Sequence, residues 1–296
     1  FINLSILGLF CSIYHPAGIS WVVNTAKNTG RALGFNNIFG GVGIGLGALS
    51  AGILIDQYSW HAAFILPGII SLFIGIGLIW HIKSKKISLK NIISEKFSEN
   101  PEPNQYLKIA IIMLISITCM AFVFHILQTS LPKTIDIRLS ANMDLSTSEI
   151  GYIVSAIYVV SGLMNYLGGI LADKFSEKII YAIGIIGQGC LLLLIISLAN
   201  YWLIAICLLI VAFNSSILPA ENLLLARFAP EKYQSLVYGI KFIIAFSIGP
   251  IALVLISKSY ELTNEFSYLY LALGIMMLCL FIIILTLPVK KQALAA

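Results

Sequence analysis

The sequence predicts an all-α polytopic membrane protein with nine transmembrane helices, and three observations lead there. Hydrophobic residues make up 59% of the 296 and charged residues only 10%, against roughly 25% charged in an ordinary soluble domain. Apolar runs of about the 20 residues that cross a bilayer as a helix recur along the whole length, whereas β-barrel strands would be short and alternating. Lysine and arginine collect in alternate loops, as they do when a helical bundle threads a membrane.

The first span, centred on 4–25, carries Ser12, His15, Pro16 and Asn24. The second, 33–55, contains the series GGVGIGLG. Its Gly41, Gly43, Gly45 and Gly47, with Gly52 beyond, leave little side chain between helices and predict close packing. The series fits neither a dinucleotide fingerprint nor a phosphate loop. The third span, 60–82, has little polar beyond Ser71. Lys83 to Gln105 then holds the densest charge of the chain and ends in a proline pair unsuited to a continuous helix, so it reads as a linker between two bundles, 1–82 and 106–289.

The fourth span, 106–131, carries Ser116, Thr118, His125 and Gln128, the last two being three apart and so near one helix face. The fifth, 149–171, runs into GGILADKFSEK, and the sixth, 179–199, is apolar. The seventh, 201–226, holds Asn214, Ser215, Ser216, Glu221 and Asn222 inside ILPAENLLLARFAP. The eighth, 234–257, holds Lys241. The ninth, 266–288, offers mainly tyrosines and Cys279, and residues 290–296 form a tail.

With the linker in the cytoplasm, thirteen lysines and arginines lie on that side and only Lys133, Arg138 and Lys258 on the other. This places the C-terminus in the cytoplasm and Phe1 outside. The formal charge of +5 is then explained by topology, and no basic stripe with interleaved aromatics points to nucleic acid. The five cysteines all fall in apolar spans without paired metal spacing and read as small core residues. The four histidines lack partners three or four residues away, so neither a metal nor a cofactor is expected.

Glu221 and Lys241 are each ten positions from residue 231 in a turn, so two antiparallel helices set them at similar depth, about 10 Å from the helix end at 1.5 Å per residue. A lone charge there costs several kcal/mol unless paired or hydrated. Three readings fit: a structural ion pair, a pair that handles protons or a substrate anion, and snorkelling to the interface.

A parallel repeat joins spans one to three with seven to nine. Pro16 matches Pro219 at an offset of 203, Gly34 matches Gly239 at 205 and Gly68 matches Gly274 at 206. Spans four to six have no counterpart, which predicts about three further helices on about 100 residues ahead of Phe1. At these offsets Glu221 and Lys241 correspond to Gly18 and Asn36, so the first copy lacks the charges.

Two parallel six-helix halves joined by a cytoplasmic linker resemble the major facilitator superfamily. GGILADKFSEK, Gly168 to Lys178, resembles that superfamily's Gly-x-Leu-Ala-Asp-Arg-x-Gly-Arg-Arg/Lys loop at Gly169, Leu171, Ala172, Asp173, Lys174 and Lys178, and departs from it at Ser176 and Glu177. GLGALSAG resembles the fifth-helix antiporter pattern, with Ala48 replacing its proline. YHPAGISWV followed by GRALGF is similar to the fosmidomycin-resistance-like branch. The resemblance implies nine helices of a twelve-helix fold, three of the N-terminal six plus the C-terminal six. It also implies secondary active transport of a small solute by alternating access, in a monomer among the lipids of the bacterial inner membrane. Gly169, Asp173, Lys174 and Lys178 would form a conformational loop, and His15, His125, Gln128, Asn214, Glu221 and Lys241 a solute or proton pathway. Proton coupling and efflux of a drug or metabolite by antiport are expected; the alternative is a non-transporting sensor or an inactive remnant.

Overall fold

A computed structural model describes residues 2–84, 103–139, 145 and 147–288, and it contains no strand among them. Ten α-helices run in order: α1 (Ile2–Thr25), α2 (Thr29–Gln57), α3 (Ala62–Ser84), α4 (Pro103–Leu139), α5 (Thr147–Lys174), α6 (Glu177–Leu194), α7 (Trp202–Ser216), α8 (Leu218–Phe228), α9 (Gln234–Thr263) and α10 (Ser267–Leu285). Among the described residues, eight helical runs are long and apolar enough to cross a membrane, with α7 and α8 counted together. At 29 residues, α2 is a further long helix.

Most of the expected linker, residues 85–102, and the tail 290–296 lie outside the described residues. The fourth helix continues past its expected end at 131 to Leu139. Two polar anchors carry it on: Lys133 pairs with Asp136 one turn later at 2.7 Å, and Arg138 is held by the neighbouring loops. The seventh span is two helices, α7 and α8, that meet at Ile217.

The packed core lies mainly among α4 to α10, joined by Ile19 and Val23 of α1 and Leu33 of α2. Tyr181, Tyr238 and Tyr270 are its largest fully buried side chains, and each hydroxyl is satisfied. Tyr270 bonds Ser130 and Thr134 of α4 at 2.9 and 2.5 Å, and Tyr238 donates to the Asn222 carbonyl at 2.8 Å, as buried hydroxyls must find partners. By contrast α3 buries no residue at all, which in lipid carries no penalty for an apolar surface. Cys119 and Cys207 are buried as expected of core residues, but Cys11, Cys190 and Cys279 are exposed. An apolar solvent removes the pressure that buries a thiol in a soluble protein.

At one end of the bundle, Arg138 ties three elements. Its guanidinium donates to both carboxylate oxygens of Glu265 at 3.0 and 2.8 Å, to Ser267 Oγ at 2.9 Å, and to the carbonyls of Ile195 and Leu198 at 2.5 and 3.3 Å. Asn264, in the left-handed region at φ 52°, ends α9 and turns the chain so that Glu265 faces this arginine. The Arg138 hydrogen bonds hold the Glu265 carboxyl below its ordinary value against the opposing effect of burial.

Candidate functional site

A cavity of about 410 Å³ lies between α1 and α2 on one side and α4, α5, α7, α8 and α9 on the other. Its size suits a small organic solute. Much of the wall is apolar and aromatic, with Phe124, Tyr158, Phe242 and Phe246 contributing. The charged side chains among the lining residues are Glu221 and Lys241.

The local sequence explains how Glu221 is held. Pro219 lacks an N–H and cannot bond the carbonyl four residues back, and the helix gives way at Ile217, so that α8 begins one residue later with Pro in its first turn. The break is wedged from both sides: a Cβ on Gly168 of α5 would meet Ser216 O at 1.8 Å, and one on Gly184 of α6 would meet Ile217 Cγ2 at 1.8 Å. Glu221 therefore sits in the first turn of α8, where the helix's partial positive charge favours a carboxylate.

Its partners come from other helices. Lys241 Nζ of α9 contacts Glu221 Oε1 at 2.6 Å, with both side chains nearly fully buried. Tyr181 of α6 donates its hydroxyl to Glu221 Oε2 at 3.2 Å, and bonds Ser116 of α4 at 2.6 Å. Lys241 also donates to Asn222 Oδ1 at 2.7 Å. Three helices thus meet on one ion pair, with α4 joined to it through Tyr181, and the geometry excludes simple snorkelling, because Glu221 is only 1% and Lys241 only 6% exposed.

Of the other residues expected in the pathway, His15, His125 and Asn214 line the cavity, whereas Gln128 does not. The part of α4 that lines it ends at Leu127, and Gln128 lies half-buried beyond. His15 stacks on Phe242 of α9 with ring centroids 4.4 Å apart, so α1 meets α9 across the cavity. His125 is held by the Ala245 carbonyl at 3.0 Å. Asn214 is 5% exposed, and its Nδ2 has no hydrogen-bond partner among the described residues.

Several lining residues escape a reading by span polarity, because they sit on α1, α2 and α5 away from the polar residues that mark the seventh span. Asn37 Nδ2 donates to Asn165 Oδ1 at 3.3 Å across the α2–α5 seam, and Tyr14 donates to Asn36 Oδ1 at 2.8 Å. Asn36 was a visible signal, since the repeat matches it to Lys241; a neutral Tyr14–Asn36 bond stands on the α1–α2 hairpin where the second copy has an ion pair. Tyr181 had no such signal.

At the end of the bundle opposite Arg138, the signature loop divides its work. Asp173, at the end of α5, accepts the backbone N–H of Gly30 at 2.6 Å and of Arg31 at 2.7 Å. The N-cap residue of α2, Asn28, makes no side-chain cap bond, so Asp173 caps that helix from another element. The approach requires glycine: a Cβ on Gly30 would lie 2.5 Å from Gly169 O, and one on Gly169 2.1 Å from Gly30 O. Lys178 instead binds the carbonyls of Leu285 and Leu287 at the end of α10, the former at 2.7 Å. Lys174 is exposed. Glu177, the departure from the usual arginine, pairs with Arg227 of α8 at 2.8 Å.

The glycine stripe of α2 is only partly at this seam. A Cβ on Gly41 would meet Gly162 Cα of α5 at 3.0 Å, but Gly43 has nothing within 4 Å. Gly43 projects from another face of the helix, two residues round. Gly45, Gly47 and Gly52 lie in α2, outside the residues whose surroundings are described. Of the α2 glycines whose surroundings are described, those packed tightest against α5, Gly30 and Gly34, lie before the stripe.

Comparison with known proteins bears on this arrangement. No curated protein matches the chain in sequence. Among solved structures it is similar to an E. coli fucose:proton symporter, with a TM-score of 0.68 and 12% identity over 92% of this chain and 72% of that one. A second structure of FucP, described as a Major Facilitator Superfamily transporter in the outward conformation, gives 0.67 and 13% over 91% and 71%. At such identity the likeness shows the fold alone. The model of the Major Facilitator Superfamily matches residues 1–142 and again 113–295. The chain therefore belongs to the Major Facilitator Superfamily, a family of secondary transporters rather than of enzymes.

Proposed function

We propose that the chain carries a small solute across the bacterial inner membrane by alternating access, as a monomer coupled to protons, with its C-terminus and its Asp173 end in the cytoplasm. The observation that carries this reading is the Glu221–Lys241 pair, an ionisable couple 2.6 Å apart on the wall of a cavity between two groups of helices. Buried ionisable residues in a membrane are costly and mark solute and proton routes. Residues 1–82 and 106–289 act as the two moving bodies and 83–105 as their tether.

The contact between Asp173 and the start of α2 supports a latch that holds one end shut. It joins the two bodies by two charge-assisted hydrogen bonds, which are strong when formed and lost together when α2 shifts. The likeness of YHPAGISWV to the fosmidomycin-resistance branch favours export of a drug or metabolite, and Ala48 in place of the antiporter proline disfavours antiport. The sense of coupling is set by how the ion pair responds to solute.

Vesicles containing the purified protein and an internal pH dye test the reading against a panel of sugars, amino acids and organic acids. We expect at least one solute to move protons through the wild type, and Glu221→Gln to abolish that proton movement. Undiminished proton movement in a Glu221→Gln, Lys241→Met double variant would show the pair to be structural.

A further inference from the structure

We infer that the cavity takes an organic anion with a carboxylate head and an apolar body, and that Glu221 is the protein's own stand-in for that carboxylate. The inference deepens the transport reading above and rests on it. Three features of the same cavity wall favour such a head. Lys241 spends one N–H on Glu221 and one on Asn222, and its third has no hydrogen-bond acceptor among the described residues. The first turn of α8 opens on the cavity at Leu218 with its partial positive charge. Asn214, nine-tenths buried and lining the same cavity, has an Nδ2 donor with no hydrogen-bond partner among the described residues. Unspent donors beside a cation call for an acceptor-rich ligand. The aromatic rings of Phe124, Phe242 and Phe246 supply the apolar remainder of the wall.

Coupling follows from charge balance. Glu221 and Lys241 together are neutral. A proton on Glu221 without an anion leaves Lys241 buried and unpaired, and an anion without the proton sets two carboxylates against one ammonium. Either state carries an uncompensated buried charge; proton and anion together restore neutrality. Binding of one therefore requires the other, and the pair travels in the same direction, a symport rather than the antiport suggested by the fosmidomycin-resistance likeness. The other titratable groups around the pair and its cavity are Tyr181 of α6, Tyr238 of α9, Tyr14 and His15 of α1, His125 of α4 and Tyr158 of α5, with Arg227 on α8 itself engaged by Glu177. None of them is a second carboxylate.

The test is calorimetric titration of the detergent-purified full chain with benzoate, neutral benzamide and cationic benzylamine, between pH 6 and 8. We expect benzoate alone to bind, with affinity falling by up to about tenfold per pH unit as pH rises. Titrations in buffers of different ionisation enthalpy should show about one proton taken up per benzoate. Lys241→Met should lose binding, and Glu221→Gln should bind benzoate with no pH dependence. If Glu221→Gln does not fold, the proton uptake of the wild type decides the matter. Equal binding of benzamide, binding that survives Lys241→Met, zero proton uptake, or no binding at millimolar benzoate would each overturn the inference. Benzoate bound as described, with no solute moved in vesicles, would overturn the transport reading and leave the anion site standing. Vesicles that move neutral solutes without need of Lys241 would do the reverse.

Discussion

Glu221 survives in an apolar wall because its two oxygens and its position in the helix are all answered: Lys241 at 2.6 Å, the Tyr181 hydroxyl at 3.2 Å, and the start of α8 beneath it. Removing one charge leaves the other buried and unpaired, which costs about 3–5 kcal/mol. Lys241→Met is therefore expected to lower thermal stability in detergent by that amount, and the Glu221→Gln, Lys241→Met double variant to recover most of it. Unfolding curves of the three proteins check this. That Glu221 and Lys241 sit level with each other was legible in the sequence from their symmetry about the turn at residue 231, because helix rise is fixed. Tyr181 was not legible: a tyrosine in an apolar span reads as an interfacial residue, and only the packing of α6 against α8 makes it a ligand of the carboxylate. Gln128 is not among the residues lining the cavity, since three residues along a helix also means a step along its axis beyond His125.

At the scale of elements, two joints set the geometry, and each depends on an absent atom. Pro219 lacks the N–H that would continue α7 into α8, and the break fits because Gly168 and Gly184 lack a Cβ. The α2–α5 seam closes on Gly30, Gly34 and Gly169 in the same way. Gly169→Val is expected to part the seam, lowering disulfide cross-linking between cysteines introduced at Asn37 and Asn165, which touch in the wild type at 3.3 Å. The sequence showed a glycine-rich helix but not which glycines touch, since that depends on the rotation of α2. The joint at Arg138 makes a separate prediction. The Glu265 carboxyl is held below its ordinary 4.5 by Arg138, so its contribution is present above that pH and is lost as pH falls through the lowered value. Thermal stability should drop on acidification below about pH 4.5, and Glu265→Gln should be less stable at neutral pH while losing this part of the acid dependence.

The whole molecule is a pair of helix groups meeting along α2–α5 and α1–α9, with the ion pair facing the space between them and Asp173 bonded across one end. Its class and the long apolar helices among the described residues were legible because lipid demands such helices, a strong and simple signal. The cavity's membership was only partly so, because Asn36, Asn37 and Asn165 lie in otherwise apolar helices and gain meaning from side chains on other helices. Alternating access requires that the Asp173 end open as well as close. The most direct test is electron–electron distance measurement between spin labels on cysteines introduced at Asn28 and Phe175, with Cys11, Cys119, Cys190, Cys207 and Cys279 replaced. The account predicts a short and a longer population in the wild type, with Asp173→Asn shifting weight to the longer one. A single short distance, unchanged by Asp173→Asn, would contradict it.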